Sequence, residues 1–419
     1  MPTAHPADPD ADIVVIGAGI VGICAAAFLA EAGKRVLVVD RTGICEETSS
    51  GNASAFAFSD VLPLAHKGMM KNLPKWLTDP LGPLAIRPSY LPQLLPWLLR
   101  FWRAGRTGYE AALAAQAGLM RLAETEWMGL LDRSGTRPML REDGSLELYE
   151  SEAEFRGALP GWAARQRFGI GFRHVEGEEL ASLQPGLSRQ FVKGTFVPGW
   201  KTADDPMLLG KAVWAYAETK GARFMHATVV DVSGSSHEVA LDLADGRKVV
   251  APKLLIAAGA WSHIWTRRFG DRVPLETERG YNTTLPADAF DVKRQLIFSG
   301  HGFVITPLST GLRVGGAVEL GGLTLPPNYA RSKAMLEKAR RFLPGLKTEG
   351  GREWMGYRPS MPDSLPVIGR ARAAPNVFYA FGHGHLGKTQ AAATGRLVRD
   401  LVTGDAPAID LAPFSPQRF

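Results

Sequence analysis

The chain has 419 residues, of which 45% are hydrophobic and 21% are charged, and this composition excludes a disordered protein. Lysine plus arginine exceeds aspartate plus glutamate by 48 − 42 = 6, and no basic run is present, so no nucleic-acid surface is predicted. The two cysteines, Cys24 and Cys45, exclude a disulfide framework and a cysteine-rich metal site. Without a secretory start or a run of 18 apolar residues, the sequence predicts a cytoplasmic protein that has no spanning helix.

Residues 12–40 have the pattern of a dinucleotide-binding unit. An apolar strand, Asp12–Ile16, leads into Gly17-Ala-Gly-Ile-Val-Gly22, an Ala-rich helix follows over Cys24–Glu31, and a strand at Arg35–Val39 ends on Asp40. The three glycines permit a tight turn, close approach of the backbone to a pyrophosphate, and close packing of helix on strand. The helix N-terminus attracts phosphate. Asp40 is expected to bind the ribose hydroxyls and disfavours NADP, but the motif leaves FAD and NAD open.

Hydrophobic periodicity and turn signals predict six further elements beyond residue 110. They are a helix at Ala111–Asp132, a strand at Ser145–Tyr149, a helix capped by Asp205 and ending near Gly221, a strand at Arg223–Val232, a hairpin over His237–Val250 and a buried strand at Leu254–Gly259. Their order predicts an α/β fold with a discontinuous Rossmann-like nucleotide domain over 12–60, 200–270 and 355–410. A mainly antiparallel, α+β substrate-binding domain is inserted over 61–199 and 271–354.

Residues 73–103 are rich in proline and tryptophan. We expect the segment to break into short pieces at its prolines, which are Pro74, Pro80, Pro83, Pro88, Pro92 and Pro96. Two interpretations fit the large aromatic residues: packing within the molecule, which we favour, and contact with a membrane interface. These residues are Trp76, Trp97, Phe101 and Trp102.

A second glycine-rich unit lies near the C-terminus. The strand-like run Asn376–Phe381 is followed by Gly382-His-Gly-His-Leu-Gly387 and by a helix from about Lys388 to Val402. This order again places backbone N–H groups and a helix N-terminus beside an anion. A reduced flavin is negative at N1–C2=O and would be stabilised there, whereas an NAD enzyme needs no such second site.

Shorter motifs between these two units make the sequence resemble the D-amino-acid oxidase superfamily of FAD proteins. They are Glu47-Thr-Ser-Ser-Gly-Asn-Ala53, Ala257-Ala-Gly-Ala-Trp261, Leu312-Arg-Val-Gly-Gly316 and Gly356-Tyr-Arg-Pro359. The resemblance runs from about residue 12 to 402 and is strongest to the bacterial D-amino-acid dehydrogenase small subunit and its hydroxyproline and opine relatives. Those dehydrogenases usually carry tryptophan where this chain has Lys388, which leaves the substrate open.

The resemblance implies FAD as the cofactor. Members that attach the flavin covalently do so through a late cysteine, which this chain lacks, so we expect non-covalent binding. Thr48 to Ala53 are expected along the isoalloxazine, Val230 at adenine, Gly259 at the pyrophosphate, and Gly382 to Gly387 at the pyrimidine edge. The predicted cofactor-binding residues are Gly17, Ala18, Gly19, Ile20, Val21, Gly22, Asp40, Arg41, Thr48, Ser49, Asn52, Ala53, Val230, Gly259, Gly382, His383, Gly384, His385, Leu386 and Gly387.

The resemblance also implies three catalytic residues, Arg358, Tyr281 and His383. Arg358 matches the family arginine that grips the substrate carboxylate, and a guanidinium suits this task because its planar fork binds a carboxylate bidentately. A structural ion pair is the alternative for Arg358, ordinary packing is the alternative for Tyr281, and loop structure explains His383 and His385 equally well. No third ligand accompanies the two histidines, so no metal is predicted.

The predicted reaction is oxidative deamination of a D-amino acid, or of a cyclic or N-substituted amino acid, by hydride transfer from Cα–H to flavin N5. Electrons then pass to a quinone, another carrier or a partner subunit, with oxygen as a further acceptor to test. The alternatives are a glycine/sarcosine-type oxidase, an opine oxidase subunit, a 2-hydroxy-acid oxidoreductase, and an FAD-bearing electron-transfer or scaffold subunit that needs partner chains. Peripheral contact of residues 73–103 with the inner face of the membrane would suit a quinone acceptor.

Overall fold

The computed structural model describes residues 11–67, 74, 78, 79, 81–235 and 237–419. Within these residues the chain combines helices with four sheets, and no helix is long and apolar enough to cross a membrane. The helices span Ile20–Glu31, Leu91–Thr107, Tyr109–Arg133, Glu152–Arg167, Gly177–Leu183, Pro206–Thr219, His263–Thr266, Ala330–Phe342 and Gly387–Thr403.

A six-stranded sheet forms the centre of the first half of the fold. Its strands, in spatial order, are Arg223–His226, Val36–Asp40, Ile13–Ile16, Lys253–Ile256, Val377–Phe381 and Val367–Arg370. The first five are parallel, and the last is antiparallel at the edge. The inner strands are almost wholly apolar, because layers cover both faces of the sheet. The carboxyl ends of the parallel strands meet at one edge, where α/β proteins bind ligands.

Helices cover one face of this sheet, and a second sheet covers the other. The helix Ile20–Glu31 packs against Gly387–Thr403 and Pro206–Thr219. A Cβ at Gly395 would come within 2.8 Å of the Cys24 carbonyl oxygen, so glycine lets two of these helices approach closely. The opposite face packs on an antiparallel sheet. Its strands are Val229–Gly234, Val239–Leu243 and Lys248–Ala251.

The second half of the fold is a large sheet that is mainly antiparallel. Its strands, in spatial order, are Arg352–Ser360, Glu276–Leu285, Gly311–Leu320, Phe303–Leu308, Gln295–Phe298, Ser145–Tyr149, Lys193–Val197 and Arg173–Glu176, with Leu84–Ile86 beside Gly311–Leu320. The helix Ala330–Phe342 packs on it. A small sheet joins the two halves. It contains Ala55–Phe56, Lys201–Ala203 and Leu140–Arg141.

The predicted fold class, a Rossmann-like unit combined with a mainly antiparallel sheet, is confirmed. The exact division into domains stays a proposal, and two elements bear on it. The strand Arg352–Ser360 crosses the expected boundary at residue 355 and pairs along its length with Glu276–Leu285. The helix Tyr109–Arg133, expected in the substrate-binding part, packs against Gly387–Thr403 of the nucleotide part.

Most predicted elements match the structure, including the hairpin and the helix that Asp205 caps. The Asp205 carboxylate accepts hydrogen bonds from the N–H groups of Met207 and Leu208 at 2.9 and 3.1 Å. The single strand predicted over Arg223–Val232 is wrong. The chain leaves the six-stranded sheet after Ala227, whose N–H donates to Asp40, and the next strand belongs to a different sheet.

The expectation that prolines break residues 73–103 into short pieces holds for 84–90, which form the short strand Leu84–Ile86 and one turn at Pro88–Tyr90, and is wrong from Leu91 onward. Leu91–Thr107 is one continuous helix of 17 residues. Pro92 lies in the first turn, where a missing N–H has no intrahelical partner anyway, and only Pro96 lies inside the helix. Burial of one apolar face offsets the hydrogen bond lost there. Trp76 and Pro80 lie outside the described residues.

Candidate active site

A cleft opens at the carboxyl edge of the six-stranded sheet and extends to the strand Arg352–Ser360 of the large sheet. Its lining comes from the regions 16–21, 39–52, 227–229, 257–265, 354–359 and 380–388. Both glycine-rich units found in the sequence therefore open into the same cleft.

The first glycine-rich turn forms a backbone cradle. Gly17 has φ = 110°, and a Cβ there would overlap the carbonyl oxygen of Ala257. A Cβ at Gly22 would overlap the carbonyl oxygen of Gly17. The N-cap residue of the helix that begins at Ile20 is Gly19, which has no side chain, and the Ile20 N–H bonds to the Ser49 hydroxyl of another loop. The remaining N–H groups of the first turn and the positive dipole end are available to an anion in the cleft, as a pyrophosphate requires.

Asp40 lies at the predicted position and lines the cleft. Its Oδ1 already accepts from the Thr42 N–H at 2.8 Å, the Thr42 hydroxyl at 2.9 Å and the Gly43 N–H at 3.2 Å. Among the described residues, its Oδ2 accepts only from the Ala18 N–H, at 2.8 Å. Oδ2 is therefore the oxygen with capacity left for a ribose hydroxyl. Arg41 also lines the cleft, with its guanidinium 4.2 Å from the centre of the Trp261 ring.

The polar loop after residue 47 is fixed from both sides. The Thr48 hydroxyl donates to the Tyr357 carbonyl oxygen at 2.9 Å, which ties the loop to the large sheet. The Ser49 hydroxyl accepts from the Ile20 N–H at 3.0 Å, which ties it to the first helix. Asn52 bonds within the loop. These three residues line the cleft, whereas Ala53 is not among its lining residues.

Two further predicted cofactor residues differ in their placement. Gly259 lines the cleft with φ = 54°. Val230 has an exposed side chain and lies where the strand pairing shifts register, so it has no partner in the ladder. Thr228 and Val229 line the cleft beside it. Contact of Val230 with adenine through its backbone stays a prediction.

The second glycine-rich loop begins at Gly382, which has φ = 84°, and continues through Gly384 with φ = 55°. The buried His383 ring shares a hydrogen bond of 2.9 Å with the Thr394 hydroxyl. Burial lowers the pKa of His383 to about 3, so the ring is neutral near pH 7 and is a weak base. This geometry favours a structural role for His383. His385 lies 3.3 Å from the Asp60 carboxylate and lines the cleft.

Arg358 lies at the end of the cleft with most of its donor groups uncommitted. Among the described residues its guanidinium makes one hydrogen bond, to the Ala317 carbonyl oxygen at 3.4 Å, and no ion pair. Burial lowers the pKa of Arg358, and the nearby Glu278 carboxylate opposes this, but an arginine stays charged in proteins. A charged fork with free donors in a cleft is a receptor for a carboxylate.

The Arg358 guanidinium occupies space that is open because the neighbouring strand has a glycine, Gly280, at this position. Gly280 and Gly356 face each other on adjacent strands, and Glu278 faces Arg358 two pairs along. A Cβ at Gly280 would overlap the Arg358 guanidinium. The Glu278 carboxylate accepts a hydrogen bond of 2.6 Å from the Ser360 hydroxyl. The side chain of Arg358 therefore lies flat across the neighbouring strand.

Tyr281 is not among the residues that line the cleft. It is 1% exposed, and its hydroxyl donates to the Glu319 carboxylate at 2.6 Å and accepts from the Asn328 N–H at 3.0 Å. Burial raises the pKa of Tyr281 to about 12. The residues around it match the packing alternative and not the catalytic role that the resemblance implied.

Among the lining residues that sequence reasoning missed are Trp354 and Lys388. Cβ atoms at Gly51 and Gly356 would each overlap the Trp354 ring, so two glycines accommodate the indole. The sequence around Gly356 could have indicated Trp354, because residues two apart on a strand share a face.

Lys388 entered the sequence analysis only as a departure from the family pattern. It is 6% exposed, and its ammonium donates to the Ser54 carbonyl oxygen at 2.6 Å and lies 3.9 Å from the Phe56 ring centre.

Replacing Lys388 with methionine is expected to change the pH dependence of stability. Burial lowers the pKa of Lys388 well below its usual value, so the unfolded chain binds this proton more tightly than the folded chain. Wild-type stability should therefore rise with pH up to about 10.4, the pKa of free lysine. The variant lacks this contribution, so its free energy of unfolding relative to that of the wild type is highest near neutral pH and decreases as pH rises. Denaturant unfolding of both proteins over this range measures the difference, and a pH-independent difference would contradict the argument.

Together, the glycine cradle, the acid after the second strand and the second strand–loop–helix unit define a flavin-dependent oxidoreductase. The cradle fits FAD because its close backbone approaches and its helix N-termini suit a pyrophosphate. A protein-family model described as FAD dependent oxidoreductase (DAO) matches residues 12–401. The chain belongs to this family of FAD-dependent oxidoreductases.

Relatives and solved structures agree with this assignment. The chain is 34% identical to a D-amino-acid oxidase of Bradyrhizobium diazoefficiens over 97% of this chain and 98% of the relative. It is 30% identical to a D-amino acid dehydrogenase of Rhizobium johnstonii over 97% and 99% of the two chains. The fold is similar to L-proline dehydrogenase from P. horikoshii, with a TM-score of 0.74 and 20% identity over 99% and 98% of the two chains.

Proposed function

We propose that the enzyme oxidises D-amino acids, or cyclic or N-substituted amino acids, to the corresponding imines and passes the electrons to a quinone or another carrier. The observation that carries the proposal is the uncommitted guanidinium of Arg358 in the cleft. An electron-transfer subunit without its own substrate needs no such group. The names of the two relatives support D-amino acids as the substrate class.

Arg358 would hold the substrate carboxylate and so fix which bonds of the α-carbon face the cofactor. Bound FAD supplies the two-electron acceptor. Positioning of this kind lowers a reaction barrier because the reacting atoms start close and aligned. The Trp354 indole, seated over Gly51 and Gly356, would exclude water from this end of the cleft.

The acids and histidines that line the cleft all have protein partners. These pairs are Asp40 with Thr42, Glu47 with Arg41, His383 with Thr394, and His385 with Asp60. None is a free, strongly basic group, and the amino group of Lys388, which also lines the cleft, is bonded to the Ser54 carbonyl oxygen. The arrangement therefore favours a mechanism in which the amine enters neutral and loses hydride without a protein base. The imine would then hydrolyse to a 2-oxo acid, or stay cyclic when the substrate is proline-like.

The test is turnover of the FAD-loaded enzyme on matched substrate pairs. The panel contains D- and L-enantiomers of alanine and proline, with sarcosine and glycine, each assayed anaerobically with a soluble quinone analogue and separately with oxygen. We expect turnover of D-enantiomers with the quinone analogue and formation of 2-oxo acid or cyclic imine. Turnover of L-enantiomers alone would contradict the proposed substrate, and turnover with oxygen alone would contradict the proposed acceptor.

A further inference from the structure

We propose that the outer face of the helix Leu91–Thr107 is a docking surface for a bilayer of anionic lipid. This inference goes beyond the proposed reaction and does not depend on it. It concerns the side of one helix that the rest of the fold leaves exposed. We call this side the outer face, and its large side chains are Leu95, Leu99, Arg100, Trp102, Arg103 and Arg106.

The helix carries large apolar side chains on both of its faces. The inner face packs into the protein through Leu94, Trp97, Leu98 and Phe101, all of which are buried. On the outer face, Leu95, Leu99 and Trp102 are 50%, 55% and 43% exposed. Apolar residues on the exposed side of an amphipathic helix, with tryptophan among them, are typical of helices that lie in a membrane interface. Trp97 and Phe101 thus follow the packing interpretation, whereas Trp102 is exposed, as the membrane interpretation requires.

The charge on the outer face has one sign. Arg100, Arg103 and Arg106 are exposed, and none of them forms an ion pair within the described part of the chain. No acidic residue occurs in the sequence between Asp79 and Glu110. The Arg106 guanidinium lies 4.9 Å from the centre of the Trp102 ring, which places a cation over an exposed indole. Positive charge beside exposed apolar side chains is complementary to anionic headgroups above acyl chains.

The same charges disfavour a second copy of this chain as the occupant. A twofold contact through the outer face would bring the face against itself and set the arginines of the two copies near one another. Juxtaposed like charges oppose association. A lipid surface supplies the opposite charge and accepts the leucines and the tryptophan at the same time.

The helix also lies close to the strand that supports the substrate clamp. Its inner face packs on Leu320 and Val318 at the end of the strand Gly311–Leu320. The carbonyl oxygen of Ala317 on that strand accepts the hydrogen bond from Arg358. A bilayer against the outer face would therefore lie on the side of the molecule that carries the carboxylate-binding end of the cleft.

The test is flotation of the full FAD-loaded chain with vesicles of phosphatidylglycerol and phosphatidylcholine, compared with vesicles of phosphatidylcholine alone. We expect co-flotation with the anionic vesicles and a strong decrease at high salt. Replacing Arg100, Arg103 and Arg106 with glutamine should weaken binding about a hundredfold, since each cation near an anionic surface contributes about fivefold. The double variant Leu95→Gln/Leu99→Gln should weaken it about tenfold or more.

Matched controls remove similar groups elsewhere on the surface. Arg156→Gln removes an exposed arginine from another helix, and Leu208→Gln removes a leucine that is 42% exposed. Both should float like the wild type, and all variants should retain FAD and turnover in the absence of vesicles. Failure of the wild type to float, or equal loss in control and outer-face variants, would overturn the proposal. A dimer in solution that Leu95→Gln/Leu99→Gln dissociates, without vesicle binding, would assign the face to a second copy instead.

Discussion

Replacing Arg358 with methionine is expected to lower kcat/KM for an amino-acid substrate by about thirtyfold to four-thousandfold while FAD stays bound. Loss of one partner from a buried charge pair costs about 2–5 kcal/mol, and about 1.4 kcal/mol corresponds to a factor of ten. Methionine keeps much of the length of the side chain without its charge. Steady-state kinetics and the visible flavin spectrum measure the two parts of this prediction.

Two neighbouring variants show whether the effect belongs to the guanidinium and its position. Arg358→Lys keeps the charge but loses the planar fork, so we expect it to recover part of the lost activity. Gly280→Ala adds a Cβ where the guanidinium now lies, so we expect raised KM with an intact fold. Full activity in Arg358→Met would exclude the carboxylate clamp.

The Gly22→Ala substitution is expected to weaken FAD binding about tenfold to a hundredfold, because overpacking costs about 1–3 kcal/mol. The added Cβ would overlap the carbonyl oxygen of Gly17, which is rigid backbone and cannot move without opening the cradle. Fluorescence titration of the apoprotein with FAD measures the affinity, and thermal unfolding with and without FAD separates binding from stability.

Gly118→Ala is the matched control for this substitution. Gly118 lies inside the helix Tyr109–Arg133, and a Cβ there would meet nothing within 4 Å. Alanine is the better helix former by about 1 kcal/mol, so this variant should bind FAD normally and unfold at the same or a higher temperature. Equal FAD affinity in the Gly22 and Gly118 variants would mean that the cradle does not hold the cofactor.

The sequence predicts the nucleotide-binding unit well because its chemistry is local. Gly17, Gly22 and Asp40 lie within one strand–turn–helix–strand unit, and their spacing alone places them at one sheet edge. The second glycine-rich unit gives the same kind of local signal. Their convergence on one cleft follows from the parallel pairing of Lys253–Ile256 with strands on both sides.

Features that depend on contacts between distant segments of the chain cannot be predicted from one sequence. Lys388 is buried because it meets Ser54, a residue 334 positions away in the chain. Trp354 lies over Gly51 from the other half of the fold. The helix Leu91–Thr107 forms in spite of its prolines because its inner face meets Leu320 and Ile86. Tyr281 and His383 were predicted to be catalytic from a family pattern. Their side chains instead hydrogen-bond to Glu319 and Thr394, which the family pattern does not include.

The most direct test of the central claim, that Arg358 binds the substrate carboxylate, is anaerobic bleaching of the flavin absorbance by two matched compounds. One is a D-amino acid, and the other is the amine that remains when its carboxylate is removed. We expect the wild type to be bleached rapidly by the amino acid and slowly by the amine, and Arg358→Met to be bleached slowly by both. Equally rapid bleaching of the wild type by both compounds, or an undiminished preference for the amino acid in Arg358→Met, would contradict the claim.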